Sequence, residues 1–206
     1  MMKKFSALLF TLLISLTSVA VNAASDAQLL KEKLAKFSTL NADFSQRVSS
    51  PEGKILNDSL GTLAISRPGK FRWEVTSPEE DLIVSDGQTM WMYSPFIEQV
   101  TLLNLSDAIQ GTPFILLSGA NDAQWANYRV SRADNQFTVT DISGSAQDRT
   151  FIFEFNNAGK VSKFVVLEAQ GQRSEFTLKH KTPVTSWNNN FFEFAIPDGV
   201  EIDDQR

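Results

Sequence analysis

The chain has 206 residues, 42% of them apolar, with 19 Lys and Arg against 24 Asp and Glu for a formal charge of −5. That length and apolar fraction support one globular core, and the acidic balance argues against a nucleic-acid partner held by a basic face. With no cysteine there is no disulfide frame, thiolate nucleophile or Cys-rich metal site, and His180 is the only imidazole available to a Ser-His-Asp apparatus.

Residues 1–23 read as a cleaved leader. Lys3 and Lys4 make a positive start, Phe5 to Val21 is uncharged and mostly apolar, and Val21-Asn22-Ala23 supplies compact residues before a cut. The mature domain is then 24–206, and losing the two lysines takes its formal charge to −7. No cysteine follows the apolar stretch, so the chain is not itself acylated there, and an exported domain without disulfides points to a bacterial periplasm.

One helix opens the mature chain, with Ser25 or Asp26 as cap and Leu30, Leu34 and Phe37 recurring on one face. From Asn41 the period changes to two. Phe44, Gln46 and Val48, then Leu63 and Ile65, then Phe71, Trp73 and Val75 each alternate with polar or small residues, as half-buried antiparallel strands do. Asp86-Gly87, Asn156 to Gly159, and Gln170-Gly171 supply hairpin turns between later strands.

Ten or so strands follow with almost no helix. The interruption lies at 106–119, where Thr112 and Pro113 start a helical turn, Phe114 to Leu117 is apolar on all sides, and Gly111 and Gly119 flank it. Phe192, Phe194 and Ile196 predict a terminal strand. The fold class expected is mainly β: a curled antiparallel sheet with an N-terminal helix and a short helical insert.

Catalytic constellations are thin. His180 sits between two lysines at a strand end, Glu79-Glu80-Asp81 follows Pro78 in a loop, and Asp203-Asp204 lies near the C-terminus. None of these has the partners a general acid, nucleophile or metal needs, so no catalytic residue, metal or cofactor is assigned and an enzyme is the weaker class. The apolar faces carry more. Met90 and Met92 alternate with Trp91 and Tyr93, and a sheet of about ten strands curled around bulky apolar side chains begins to have room for ligand. Pattern alone leaves that cavity and a solid sandwich core as alternatives.

Gly61 to Glu74 contains Arg67-Pro68, Phe71 and Trp73 in an RP-x-x-F-x-W arrangement that resembles the LolA family of outer-membrane lipoprotein carrier proteins. Leu82 to Tyr93, Pro95 to Gln99, Thr112-Pro113-Phe114 and the close Val200 to Arg206 are similar to that family in the same order, so the resemblance covers essentially the whole mature chain. It implies an unclosed β-barrel with a helical lid over a hydrophobic cavity. It further implies a monomeric periplasmic carrier that takes the acyl chains of lipoproteins from an inner-membrane ABC transporter to an outer-membrane receptor of similar fold. An envelope lipid or glycolipid binding protein of the same fold is the alternative.

The resemblance also distributes roles. It implies Leu34, Phe37, Phe44, Leu63, Ile65, Phe71, Trp73, Trp91, Tyr93 and Phe96 as cavity wall, mouth or lid-facing surface, and Phe114, Leu117 and Ser118 as lid. Arg67 shares the parity of Leu63 and Ile65, which points a costly charge at the apolar side unless it snorkels out at the strand end. In the family an Arg at this motif position bonds the lid and holds the empty cavity shut, which implies Arg67 against Leu117-Ser118.

Overall fold

Ser25 opens the first helix, α1 (Asp26–Ala35), by accepting the Gln28 N–H at 3.2 Å on its Oγ, while Asp26 adds a carboxylate to the first turn. Leu30 and Leu34 are buried, and the helix ends before Phe37, which continues the apolar face from the linker. The computed structural model describes residues 24–144, 149–188 and 190–206, so the leader read over 1–23 lies outside the described residues. No helix among the described residues is long and apolar enough to cross a membrane.

Six strands follow: β1 (Thr39–Ser49), β2 (Ile55–Ser66), β3 (Lys70–Ser77), β4 (Asp81–Asp86), β5 (Thr89–Ser94) and β6 (Gln99–Asn104). Three short helices make the insert, α2 (Leu105–Ala108), α3 (Phe114–Leu117) and α4 (Asp122–Trp125). The second half comprises β7 (Tyr128–Ala133), β8 (Gln136–Asp141), β9 (Thr150–Phe155), β10 (Val161–Leu167), β11 (Arg173–His180) and β12 (Glu201–Asp204). All twelve strands form one sheet in the order β12-β6-β5-β4-β3-β2-β1-β11-β10-β9-β8-β7, with β12 and β7 as its edges. The hairpin turns expected from Asp86 and Asn156 are held by those side chains, since Asp86 Oδ1 accepts from Gln88 and Thr89 N–H and Asn156 Oδ1 from Ala158 and Lys160 N–H.

The sheet curls. Trp73 on β3 and Phe164 on β10 are four strands apart, which in a flat sheet would separate them by about 19 Å, yet their ring centroids lie 6.4 Å apart. The concave face therefore closes on itself without joining its edges. Gly61 makes part of this possible. It opposes Phe44 across β1 and β2 and the Phe44 ring lies over it, so an added Cβ would sit 2.1 Å from the Glu74 carbonyl oxygen and 2.5 Å from Phe44 Cζ. Gly61→Ala is expected to lower stability by about 1–3 kcal/mol as this overpacking pushes Phe44 off its site, read as a reduced urea midpoint.

The terminal strand expected at Phe192 to Ile196 does not form. Residues 191–199 are turns and irregular chain, and the last strand, β12, is Glu201–Asp204, paired in parallel with β6. Phe192, Phe194 and Ile196 instead belong to a turn and the irregular chain after it, which lies against the convex face. Phe191 packs 5.8 Å from the Arg72 guanidinium and Phe194 5.2 Å from Tyr93.

Candidate functional site

Strand pairing decides which apolar side chains meet. Leu63 directly opposes Trp73, and Ile65 opposes Phe71, so all four project from the same face of β2 and β3. Phe44 from β1 stacks on Trp73 with centroids 3.9 Å apart, and Leu34 from α1 reaches the same buried cluster. From the other half of the curl, Phe164 and Phe176 stack at 4.3 Å and meet Trp73 edge-on. The concave face is thus an aromatic floor contributed by strands far apart in sequence.

The one-turn helix α3 sits on that floor. Phe114 stacks on Phe71 at 5.2 Å and meets the Trp73 edge at 5.4 Å, while Ile115, Leu116 and Leu117 are buried. A turn that is apolar all round finds cover for three of its side chains and for part of Phe114, which stays half-buried. Phe114 takes the place over Phe71 and Trp73 that an apolar ligand on the concave face would need.

Arg67, at the end of β2, holds α3 from its C-terminal side. Its Nε donates to the Leu117 carbonyl at 2.9 Å and its Nη2 to the Leu116 carbonyl at 3.1 Å. Two residues on, the Gly69 N–H donates to the Ser118 carbonyl at 3.0 Å, and the Ser118 hydroxyl closes the turn by donating to the Phe114 carbonyl at 2.6 Å. A helix leaves its last carbonyls without intrahelical donors and carries negative potential there, so a cation with a planar fork suits this end.

The Arg67 guanidinium also lies over the Phe37 ring, 4.3 Å from its centroid. No carboxylate pairs with it among the described residues, and burial pushes its pKa down to about 10. A base depressed only that far stays protonated in both folded and unfolded chains below about pH 9, so this clasp adds no pH dependence near neutrality.

The far end of the insert has a second arginine that sequence patterning did not single out. Arg149 Nη1 donates to the Gly111 carbonyl at 3.2 Å while its Nε pairs with Glu168 at 2.7 Å. Tyr128 lies beside the same glycine, its hydroxyl pushed up to about 12 by burial, with Asp141 adding to the shift and a hydrogen bond from the Gly111 backbone opposing it. Arg149, Glu168 and Tyr128 come from three separate strand ends and turns, and no motif links them in sequence.

Three residues assigned to the wall or mouth are placed elsewhere. Phe71 opposes Ser85, and Ser85 opposes Met90, so Met90 faces inward and Trp91 and Tyr93 face outward. Bulky residues at four consecutive positions gave no alternation from which to choose the face. Phe96 is 78% exposed in the turn between β5 and β6. The β2–β3 and β4–β5 turns lie beside the helices, through Gly69 to Ser118 and Leu105 to Gln88, so antiparallel alternation puts the β5–β6 turn at the opposite end of the sheet.

The weak catalytic candidates stay apart. His180 Nε2 lies 2.7 Å from the Val161 carbonyl, and Glu79, Glu80 and Asp81 are exposed. Among the described residues no group of three or more His, Asp or Glu is arranged to hold a metal ion.

The family described as outer membrane lipoprotein carrier protein LolA matches residues 35–195. A protein of Psychromonas ingrahamii named outer-membrane lipoprotein carrier protein is 71% identical over 205 residues, covering 100% of each chain. One of Aeromonas salmonicida with the same name is 44% identical over 207 residues, again covering 100% of each. A crystal structure of an uncharacterized conserved protein from Thermus thermophilus aligns with 88% of this chain and 100% of that one, with a TM-score of 0.52 at 14% identity, a likeness of fold.

Proposed function

Since this chain belongs to the LolA family of outer-membrane lipoprotein carrier proteins, we propose that it carries lipoproteins by taking their acyl chains onto the concave face in exchange for Phe114. The observation that supports this reading is the stack of Phe114 on Phe71 and Trp73, held by Arg67 on the Leu116 and Leu117 carbonyls. The empty protein covers its own apolar floor with a segment that two hydrogen bonds fasten and two glycines flank.

The energetics favour such competition. At about 0.8 kcal/mol per methylene, one acyl chain of roughly 15 methylenes represents about 12 kcal/mol of transfer from water, and three together exceed the ceiling of about 20 kcal/mol for non-covalent affinity. A carrier that buried all of this unopposed would not release it. Closure of α3 recovers Phe114 packing and the Arg67 bonds on release, so cargo passes downhill to a better acceptor.

Within the same reading the mature protein starts at Ala24 and works as a monomer in the periplasm, loaded by an inner-membrane ABC transporter and unloaded by an outer-membrane receptor of similar fold. It performs no catalysis. Its net negative charge disfavours adhesion to anionic lipid between the two membranes.

The test incubates residues 24–206 with inner membranes holding a labelled lipoprotein, the transporter and ATP. Label is expected to become soluble in a 1:1 complex with the carrier. Label that stays in the membrane, while the protein purifies with a free glycolipid, would replace lipoprotein by another envelope lipid as cargo.

A further inference from the structure

Phe37 carries the Arg67 guanidinium and also forms part of the wall of a second concavity, a pocket of about 270 Å³ between the end of α1, the start of β1, the β9–β10 turn and the end of β11. Its apolar wall is completed by Leu40, Val161 and Val184. Around that wall stand Lys33, Lys36, Lys160, His180 and Lys181, and among the described residues no carboxylate lines it.

Part of this charge is accounted for locally. Lys181 pairs with Asp43 just outside the pocket at 2.6 Å, Lys33 lies over the Phe155 ring, and His180 is bonded to the Val161 carbonyl. Lys36 and Lys160 have no ion-pair partner among the described residues. A helix C-terminus favours Lys33 and the capping Lys36 at the end of α1, but it does not explain Lys160, which arrives from a β-turn on the other side of the hollow.

A chain with net charge −5 has thus brought four lysines around one apolar hollow. Like charges gathered this way repel one another and are relieved by an anion, and the apolar wall between them selects a ligand with a hydrocarbon body. We propose that this pocket binds a single-chain amphiphile with an anionic headgroup, carboxylate or phosphate, the chain lying against Phe37, Leu40, Val161 and Val184 and the headgroup between Lys36 and Lys160. The site lies at the end of the concave face, beside α1 rather than beneath α3, since Leu40 and Val161 belong to the same buried cluster as the floor, and it does not depend on the carrier reading.

Calorimetric titration of residues 24–206 with dodecyl phosphate, dodecanoate and neutral dodecyl maltoside, each below its micelle concentration, tests this. Both anions are expected to bind with 1:1 stoichiometry, and the double variant Lys36→Glu/Lys160→Glu to bind them at least tenfold more weakly with no change toward the maltoside. Both lysines are exposed, and an unaltered melting temperature verifies that the variant folds. Tighter binding of the phosphate identifies a lipid headgroup, and tighter binding of the carboxylate a free fatty acid. Lipoprotein uptake by the double variant is expected to stay normal, which keeps this site distinct from the cargo site. Equal binding of the anions by variant and parent, or a neutral chain bound as tightly as the charged ones, overturns the proposal by placing the alkyl chain on the floor beneath α3.

Discussion

On the proposed carrier cycle, Arg67→Leu protein is expected to accept lipoprotein as well as the unaltered chain and to pass less than a tenth as much of it to an outer-membrane receptor. The substitution removes the two guanidinium bonds to the Leu116 and Leu117 carbonyls, which on the proposed exchange hold α3 shut. Charge-assisted bonds of this kind contribute about 1.5–3 kcal/mol each, and a shift of about 1.4 kcal/mol already changes an equilibrium tenfold.

The half-buried setting of Arg67 puts the pair toward the lower end of that range. On that exchange the empty closed state loses this stabilisation while the loaded state gains apolar wall, so both changes favour retention. Arg67→Lys is expected to transfer an intermediate fraction, because an ammonium offers a point charge without the fork that spans two carbonyls. Purified protein loaded with labelled lipoprotein is mixed with receptor and the transferred fraction counted. Normal transfer by Arg67→Leu would show that the clasp has no part in release.

Leu117→Glu is expected to produce the largest loss of stability, about 2–4 kcal/mol at neutral pH. Leu117 is 0% exposed and shares the core cluster with Ile65, Phe71 and the rest of the concave floor. A carboxylate there either drives α3 off the floor or is held protonated by desolvation. Its folded pKa then lies above the unfolded value, so the variant is least impaired below about pH 4 and loses stability as pH rises through the folded pKa. Urea unfolding at about pH 4 and about pH 7.5 reads this directly, with the shortfall against the parent growing at the higher pH. A small shortfall, equal at both, would mean that α3 turns its side chain to water at little cost.

The two variants act on features that differ in how far sequence exposed them. Helix α1, the hairpins at Asp86 and Asn156, and the inward set Leu63, Ile65, Phe71 and Trp73 follow from period and turn chemistry alone, because each alternates cleanly with polar or small neighbours. Arg67 was readable in part: parity placed it on the apolar side, and the family resemblance named the partner that the carbonyls of α3 supply.

Trp91 and Tyr93 were not readable, since Met90-Trp91-Met92-Tyr93 is apolar on both faces and only pairing with β4 settles which side is which. The C-terminal aromatics misled for a related reason. Bulky residues spaced by two along a turn and irregular segment carry the same period as a strand, and a strand is distinguished by ladder hydrogen bonds that leave no mark in composition. Arg149 at Gly111 depends on three distant segments and had no local signature.

The seam between β1 and β11 joins the beginning of the described chain to nearly its end, with Ala42 opposite His180 and Ser49 opposite Arg173. The hairpins from β1 to β6 zip up from neighbouring residues, but β1 then waits with one edge unpaired and Leu40, Ala42 and Phe44 uncovered until residues 173–180 have been delivered. Topologies of this kind fold on the order of milliseconds to seconds, because distant segments must meet before their contacts contribute. A chain still being synthesised therefore stays open by geometry alone. In that interval its own half-built edge is a template for a second copy, which makes the nascent form the stage that most needs a holdase.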